Sequence, residues 1–236
     1  MGKKSKRNHR AAQSTAPRPA PPARHKRRYG YIAAAIGILV AIAVLWFEFG
    51  AKADVRSEAE LAALHRPQAA TTGNPAAKVH IVEFLDPACE TCREFYPFVK
   101  GMMRDHPGAI QLTVRLVAFH PNADLPVRAL EASKAQGKFW DLLDSLLESQ
   151  PLWVENNRVD VDKFWRELHS LDLNLDRLRA DMESPAVRKA VAVDAADANT
   201  LKVTQTPEYF VNGRGLPEFG FRQLQHLVDE ELKATR

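Results

Sequence analysis

Cysteine is nearly absent: the 236 residues contain two, Cys89 and Cys92, three positions apart. Two cysteines exclude a disulfide framework, and a chain long enough for one or two domains needs none to hold a core. A second Cys-x-x-C is missing, and His80, His106 and His120 stand singly. A structural zinc site needs two further ligands beside the pair, and no motif supplies them. Acid is absent from residues 1–28, which hold ten Lys or Arg; 23 basic residues then face all 29 acidic ones in the rest of the chain. The formal charge of +4 therefore belongs to a tail. The body is mildly acidic, so the basic balance does not indicate a nucleic-acid partner. There is no internal repeat. Hydrophobic residues at 45% and charged residues at 26% exclude a fibrous or wholly disordered chain.

Residues 1–28 are rich in Ala and Pro and too poor in apolar side chains to offset ordering entropy, which predicts a disordered cytoplasmic tail. One long apolar run follows, residues 29–49, with Glu48 as its single charge. About 20 apolar residues span a bilayer as a helix, and Tyr29, Tyr31 and Trp46 sit at its ends, where amphipathic rings favour the interface. The basic flank keeps the N-terminus in the cytoplasm and puts everything after Gly50 outside the cytoplasmic (inner) membrane. A cleaved signal peptide is the rival, since Ala51-Lys52-Ala53 fits a small-x-small site. The run exceeds the usual ~7–15 residues of a signal core, which favours a retained single-pass anchor. Either reading places the body in an oxidising compartment.

In the body, residues 57–66 carry Leu61 and Leu64 at helical spacing and predict a short juxtamembrane helix. Residues 67–77 (PQAATTGNPAA) read as turn and linker, with the folded domain beginning at Lys78. Residues 78–85 (KVHIVEFL) are short, apolar and β-branched, as in a strand buried on both faces. Residues 90–104 read as a helix broken or kinked near Pro97, and residues 110–119 as a second strand, parallel to the first. A helical block follows, in segments 125–136, 138–149, 162–171, 174–182 and 185–201. Ser184 is the N-cap of the last segment and Pro185 its first turn. Beyond Thr206-Pro207, residues 208–211, Asn212-Gly213 and a return to Phe219 read as a type I′ hairpin, and residues 221–234 as a terminal amphipathic helix.

Cys-x-x-C at the start of a helix places Cys89 where unpaired N–H groups and the helix dipole favour an anion. Cys92, one turn in, is placed to close an intramolecular disulfide and release a mixed-disulfide partner. A purely structural disulfide is the bland alternative, but so short a loop constrains little of the unfolded chain.

The segment GNPAAKVHIVEFLDPACETC resembles the opening of bacterial DsbA-like proteins of the thioredoxin superfamily, in which a Val-x-Glu-Phe or Val-Glu-Phe strand is followed by Cys-x-x-C. Pro97, five residues past Cys92, and Thr206-Pro207 before EYFVNGR are similar to that family's helix proline and cis-proline loop. The 118 residues from Cys89 to Pro207 agree with its inserted helical domain, here about 121–203. The resemblance covers about residues 73–236. It implies an α/β thioredoxin fold with an inserted helical domain, preceded here by a single N-terminal transmembrane helix.

It also implies roles. Cys89 is the nucleophile and Cys92 the resolving thiol. A cis Pro207 lets Thr206 offer its backbone to an extended substrate. Glu83 is a buried acid that relays the Cys92 proton, with an ordinary solvated strand carboxylate as the alternative. For Thr206-Pro207 the alternative is a trans turn. Glu90-Thr91 departs from the histidine-containing dipeptide of the strongly oxidising members. Glu90 either raises the Cys89 pKa and makes a weaker oxidant, or is a solvated first-turn residue that suits the helix dipole. His80, His106 and His120 are read as structural, and Trp140, Trp153 and Trp165 as helical core, with a hydrophobic peptide groove as their other use.

The activity implied is thiol–disulfide exchange on cysteine-containing exported proteins, without metal, nucleotide or organic cofactor. Its redox partner is a DsbB-type membrane quinone reductase or a transmembrane reductant, according to direction. The non-enzyme alternative keeps the fold and uses the cysteines to bind Cu(I) or to hold a partner.

Overall fold

A computed structural model describes residues 37–38, 56–169 and 171–234. The basic tail and nearly all of the predicted span, residues 29–49, lie outside the described residues. Among those described, no helix is long and apolar enough to cross a membrane.

The body begins earlier than the sequence suggests. Helix α1 (Glu58–Leu64) opens on a capping box: the Ser57 hydroxyl accepts from the Glu60 N–H at 3.2 Å, and the Glu60 carboxylate accepts from the Ser57 N–H at 2.8 Å. The segment expected to be a linker contains strand β1 (Ala70–Gly73). Gly73 ends it at φ 96°, where a Cβ would stand 2.6 Å from the Ile110 carbonyl oxygen. Only glycine fits there.

Strand β2 (Val79–Leu85), helix α2 (Glu90–Asp105) and strand β3 (Ile110–Leu116) form the βαβ unit, with β2 and β3 parallel. Helix α2 runs on through Pro97 as one helix of 16 residues. The helical block comprises α3 (Asp124–Ser133), a short 3-10 turn, α4 (Phe139–Glu148), α5 (Gln150–Trp153), α6 (Val161–Leu168), α7 (Leu175–Met182) and α8 (Pro185–Thr200). A small hairpin, β4 (Val154–Glu155) and β5 (Arg158–Val159), interrupts it; strands of two residues carry no period, so the sequence did not announce it. The Ser184 hydroxyl caps α8 by accepting from the Val187 N–H. Strands β6 (Glu208–Val211) and β7 (Arg214–Gly215) turn through Asn212 and Gly213, at φ 48° and 82°, and α9 (Phe221–Ala234) closes the chain. The sheet order is β1-β3-β2-β6-β7.

Both faces of β2 are buried. Val79, Ile81 and Leu85 join the larger core with Phe95, Val99, Leu224 and Val228. Val82 and Phe84 join a second core with Ala63, Leu64, Ala198 and Phe210. Helix α1, expected beside a membrane, is thus part of the layer on this second face and packs on α8. On this second face Arg115 of β3, which has no exposure, ties the sheet to α1 and α8. Its guanidinium donates to the Ala63 carbonyl at 2.5 Å, to Asp194 at 2.8 Å and to Asp197 at 2.5 Å. Arg66 adds two bonds to Asp197, at 2.7 and 2.6 Å. Trp153 is fully buried, while Trp140 and Trp165 pack against the same core.

Candidate functional site

The site forms where β2 ends. Because side chains alternate along a strand, Glu83 falls on the face covered by α2. It has no exposure. Its cross-strand partner is Tyr209, whose hydroxyl donates to Glu83 Oε1 at 3.0 Å; Glu83 Oε2 is buried without a partner. Burial pushes the Glu83 carboxyl up to about 8, against the lowering effect of the Tyr209 bond.

Asp86 then turns the chain. Its Oδ1 accepts from the Ala88 N–H at 2.8 Å, and its backbone carbonyl accepts from the Cys89 N–H at 3.0 Å. Cys89 is the N-cap of α2, with extended backbone at φ −78° and ψ 120°. It keeps 5% of its surface exposed and Cys92 keeps none, so of the two Cys89 is the sulfur a partner can reach. The Cys89 thiol donates to the Thr206 carbonyl at 3.2 Å. The Thr206–Pro207 peptide is cis.

Other contacts outweigh the bond to the Thr206 carbonyl and favour the Cys89 anion. A hydrogen bond from the Cys92 thiol is the strongest influence. Burial opposes it, while the Thr206 side chain, the Cys92 N–H and the charge of His120 assist it, bringing Cys89 down to about 6. Cys92 moves the other way: burial first, then its bond to Cys89 and the charges of Cys89 and Glu83, hold its thiol well above the usual range. One thiol is prepared to ionise and the other to stay protonated. Thiolate absorbance at 240 nm is therefore expected to rise in the reduced protein with a midpoint near pH 6, and to lose that step in Cys89→Ser. A midpoint near the ordinary ~8.5 would contradict this geometry.

Glu90 is 68% exposed and pairs with Arg93 at 3.5 Å. It is not among the main influences on Cys89. Thr91 lies in the first turn of α2. Among the described residues no group of three or more His, Cys, Asp or Glu is placed to hold a metal.

Three residues complete the site that the motifs did not reveal. Asp86 stands where the sequence showed only a strand end. His120, read as structural, bonds its ring Nδ1 to Asp86 Oδ2 at 2.8 Å. Gln150, 2% exposed, reaches in from α5, and its amide donates to the carbonyls of Pro87 at 2.8 Å and Cys89 at 3.0 Å. Beside them a cleft of about 450 Å³ opens between α2 and the β4–β5 hairpin, lined by Glu90, Arg93, Gln150, Pro151, Val154, Asn156 and Asn157.

A two-layered sheet with Cys-x-x-C at the β2–α2 junction and a proline loop opposite is matched by the family model described as Thioredoxin, over residues 65–230. The chain belongs to the thioredoxin family. A thioredoxin-like oxidoreductase from Silicibacter pomeroyi DSS-3 superposes on 75% of this chain and 99% of its own, with a TM-score of 0.64 at 28% identity. A probable disulfide bond formation protein D from Bacillus cereus is 28% identical over 182 residues, covering 68% of this chain and 77% of its own. The Na(+)/H(+) antiporter NhaA 3 of Salinispora tropica is 35% identical over 146 residues. That match covers 60% of this chain and 21% of the antiporter, so the chain spans about a fifth of that relative's length. Within the thioredoxin fold, the helical block lies between β3 and β6 and delivers Gln150 to the cysteine turn.

Proposed function

We propose that this thioredoxin-family chain is a thiol–disulfide oxidoreductase of the bacterial envelope, acting on cysteine-containing exported proteins. Residues 29–49 anchor it in the cytoplasmic membrane with the catalytic body outside. The observation that carries the reading is the asymmetry of the pair: Cys89 lowered to about 6 at a helix N-terminus, above a buried Cys92 held protonated. The likeness to the Silicibacter thioredoxin-like oxidoreductase and to the probable disulfide bond formation protein D of Bacillus cereus supports it.

In the oxidising direction a substrate thiolate attacks Cys89 of the Cys89–Cys92 disulfide. A mixed disulfide forms, and Cys92 leaves as a thiolate that takes a proton from the Glu83 carboxyl. A second substrate thiolate then attacks the substrate sulfur of the mixed disulfide and expels Cys89 as a thiolate. Two electrons pass from substrate to the cysteine pair, and a membrane partner, a quinone reductase of the DsbB type, removes them. The reducing direction runs the same steps backwards, with electrons from a transmembrane reductant. Thr206, beside the cis Pro207, presents its backbone to an extended substrate segment, and Glu90 and Thr91 fill the dipeptide between the cysteines.

The test is the equilibrium of the pair with glutathione, read by thiol alkylation. A Cys89 pKa of about 6 lies between the ~3.5 of DsbA and the ~7 of thioredoxin, so the expected potential lies between about −180 and −270 mV. A value above the ~−120 mV of DsbA would overturn the weaker-oxidant reading. Failure to cycle, with stoichiometric copper binding, would retire the enzyme.

A further inference from the structure

Asp86 is a fully buried carboxylate in the turn before the nucleophile. A carboxylate there carries a negative charge out of water and disfavours a neighbouring thiolate, unless a cation is paired with it. It accepts four hydrogen bonds: from the N–H groups of Ala88, Phe119 and His120, at 2.8, 2.7 and 2.9 Å, and from the His120 ring at 2.8 Å. The last is its ion-pair contact once the imidazole is protonated, and the ring keeps 24% of its surface exposed, open to exchange protons with solvent. The same Asp86 holds the Cys89 N–H on its backbone carbonyl. One residue thus fixes the imidazole on its side chain and the nucleophile on its main chain.

We propose that His120 is a positioning residue for the exchange chemistry: its imidazolium, seated on the buried Asp86 carboxylate, supplies the positive charge that holds the Cys89 sulfur as a thiolate. This rests on the proposed function and adds the group that regulates it. The described residues around Cys89 bring it one favourable charge, that of His120. Glu83 from β2 and Tyr209 from β6 become negative or stay neutral. Cys92 offers a thiol, and Asp86 is negative. On α2, Arg93 is turned to Glu90, which is itself largely exposed.

The test uses the reduced full chain in mild detergent and follows thiolate absorbance against pH in wild type, His120→Gln and His120→Lys. Glutamine keeps a hydrogen-bond donor for Asp86 and removes the charge; lysine restores a charge. The expected result is a Cys89 midpoint displaced upward in His120→Gln, with the thiolate-to-thiol ratio at pH 6 reduced on the order of threefold, and recovery in His120→Lys. An unmoved midpoint in the glutamine variant, or no recovery with lysine, overturns the proposal. A second reading needs no substitution at 120. Coupling is reciprocal, so the His120 imidazole, followed by NMR, is expected to titrate at higher pH in the reduced protein than in the disulfide form. Equal midpoints overturn the proposal even where a variant fails to fold. Neither measurement requires turnover, so a protein that does not cycle with glutathione would retire the proposed function while leaving this coupling to be read separately.

Discussion

Arg115→Ala is expected to lower the free energy of unfolding by about 3–5 kcal/mol. Arg115 is fully buried and is the shared cation of Asp194 and Asp197. Its removal leaves the Ala63 carbonyl without that donor and Asp194 without its guanidinium, although the Leu116 N–H still reaches Asp194 at 2.9 Å. Asp197 retains Arg66, which keeps the loss short of complete collapse. For Asp197, burial opposes ionisation, but the bonds from Arg66 and Arg115 outweigh it and hold its carboxyl below the usual range. A depressed carboxylate contributes stability above its unfolded pKa and loses it as pH falls through the folded one. The gap between wild type and variant should therefore narrow on acidification below about pH 4. Urea unfolding at pH 7 and pH 3 checks both; a loss under 1 kcal/mol at pH 7 would mean that the cluster contributes little.

Glu83→Gln is expected to slow resolution of the mixed disulfide by about 10²-fold or more, with little effect on the first attack by Cys89. Resolution requires Cys92 to lose its proton to a base, after which its sulfur attacks Cys89 and the substrate leaves as a thiolate. Cys92 is held far from ionisation by burial, and Glu83, at about 8 with one oxygen unpartnered, is the base at hand. The same substitution should change stability with the opposite sign. The folded state keeps on Glu83 a proton that the unfolded state releases between about pH 4.5 and 8, so this residue makes the protein less stable as pH rises through that window. Glutamine removes the slope, a gain of at most about 4–5 kcal/mol at pH 8. Quenched-flow trapping of the mixed disulfide and unfolding of the disulfide form at pH 5 and pH 8 separate the two effects. Unchanged resolution would leave Glu83 a structural acid.

What the sequence disclosed was local. The Ser184 cap, the Asn212-Gly213 turn and the apolar run of β2 each announce themselves within a few residues, and so does the cysteine pair. Strand β1 did not, because Ala-Thr-Thr-Gly has no apolar alternation. It is a strand by virtue of its pairing with β3, with Thr71 and Thr113 hydroxyls 2.8 Å apart. The docking of α1 was hidden for the same reason: a capping box sets where a helix starts, and what it lies against is a property of α8, more than a hundred residues away. In the site, Tyr209 becomes the partner of Glu83 only through the β2–β6 register. Asp86, His120 and Gln150 come from three separate segments, and no spacing rule joins them.

The amide of Gln150 spans the carbonyls on either side of Ala88, so the cysteine turn is braced from the inserted helices and not from the sheet alone. Local opening in proteins follows contiguous cooperative units. The turn and the α4–α5 corner then form one such unit, and freeing the Cys89 backbone requires loosening the insertion with it. The inserted block thus sets how rigidly the reactive sulfur is presented.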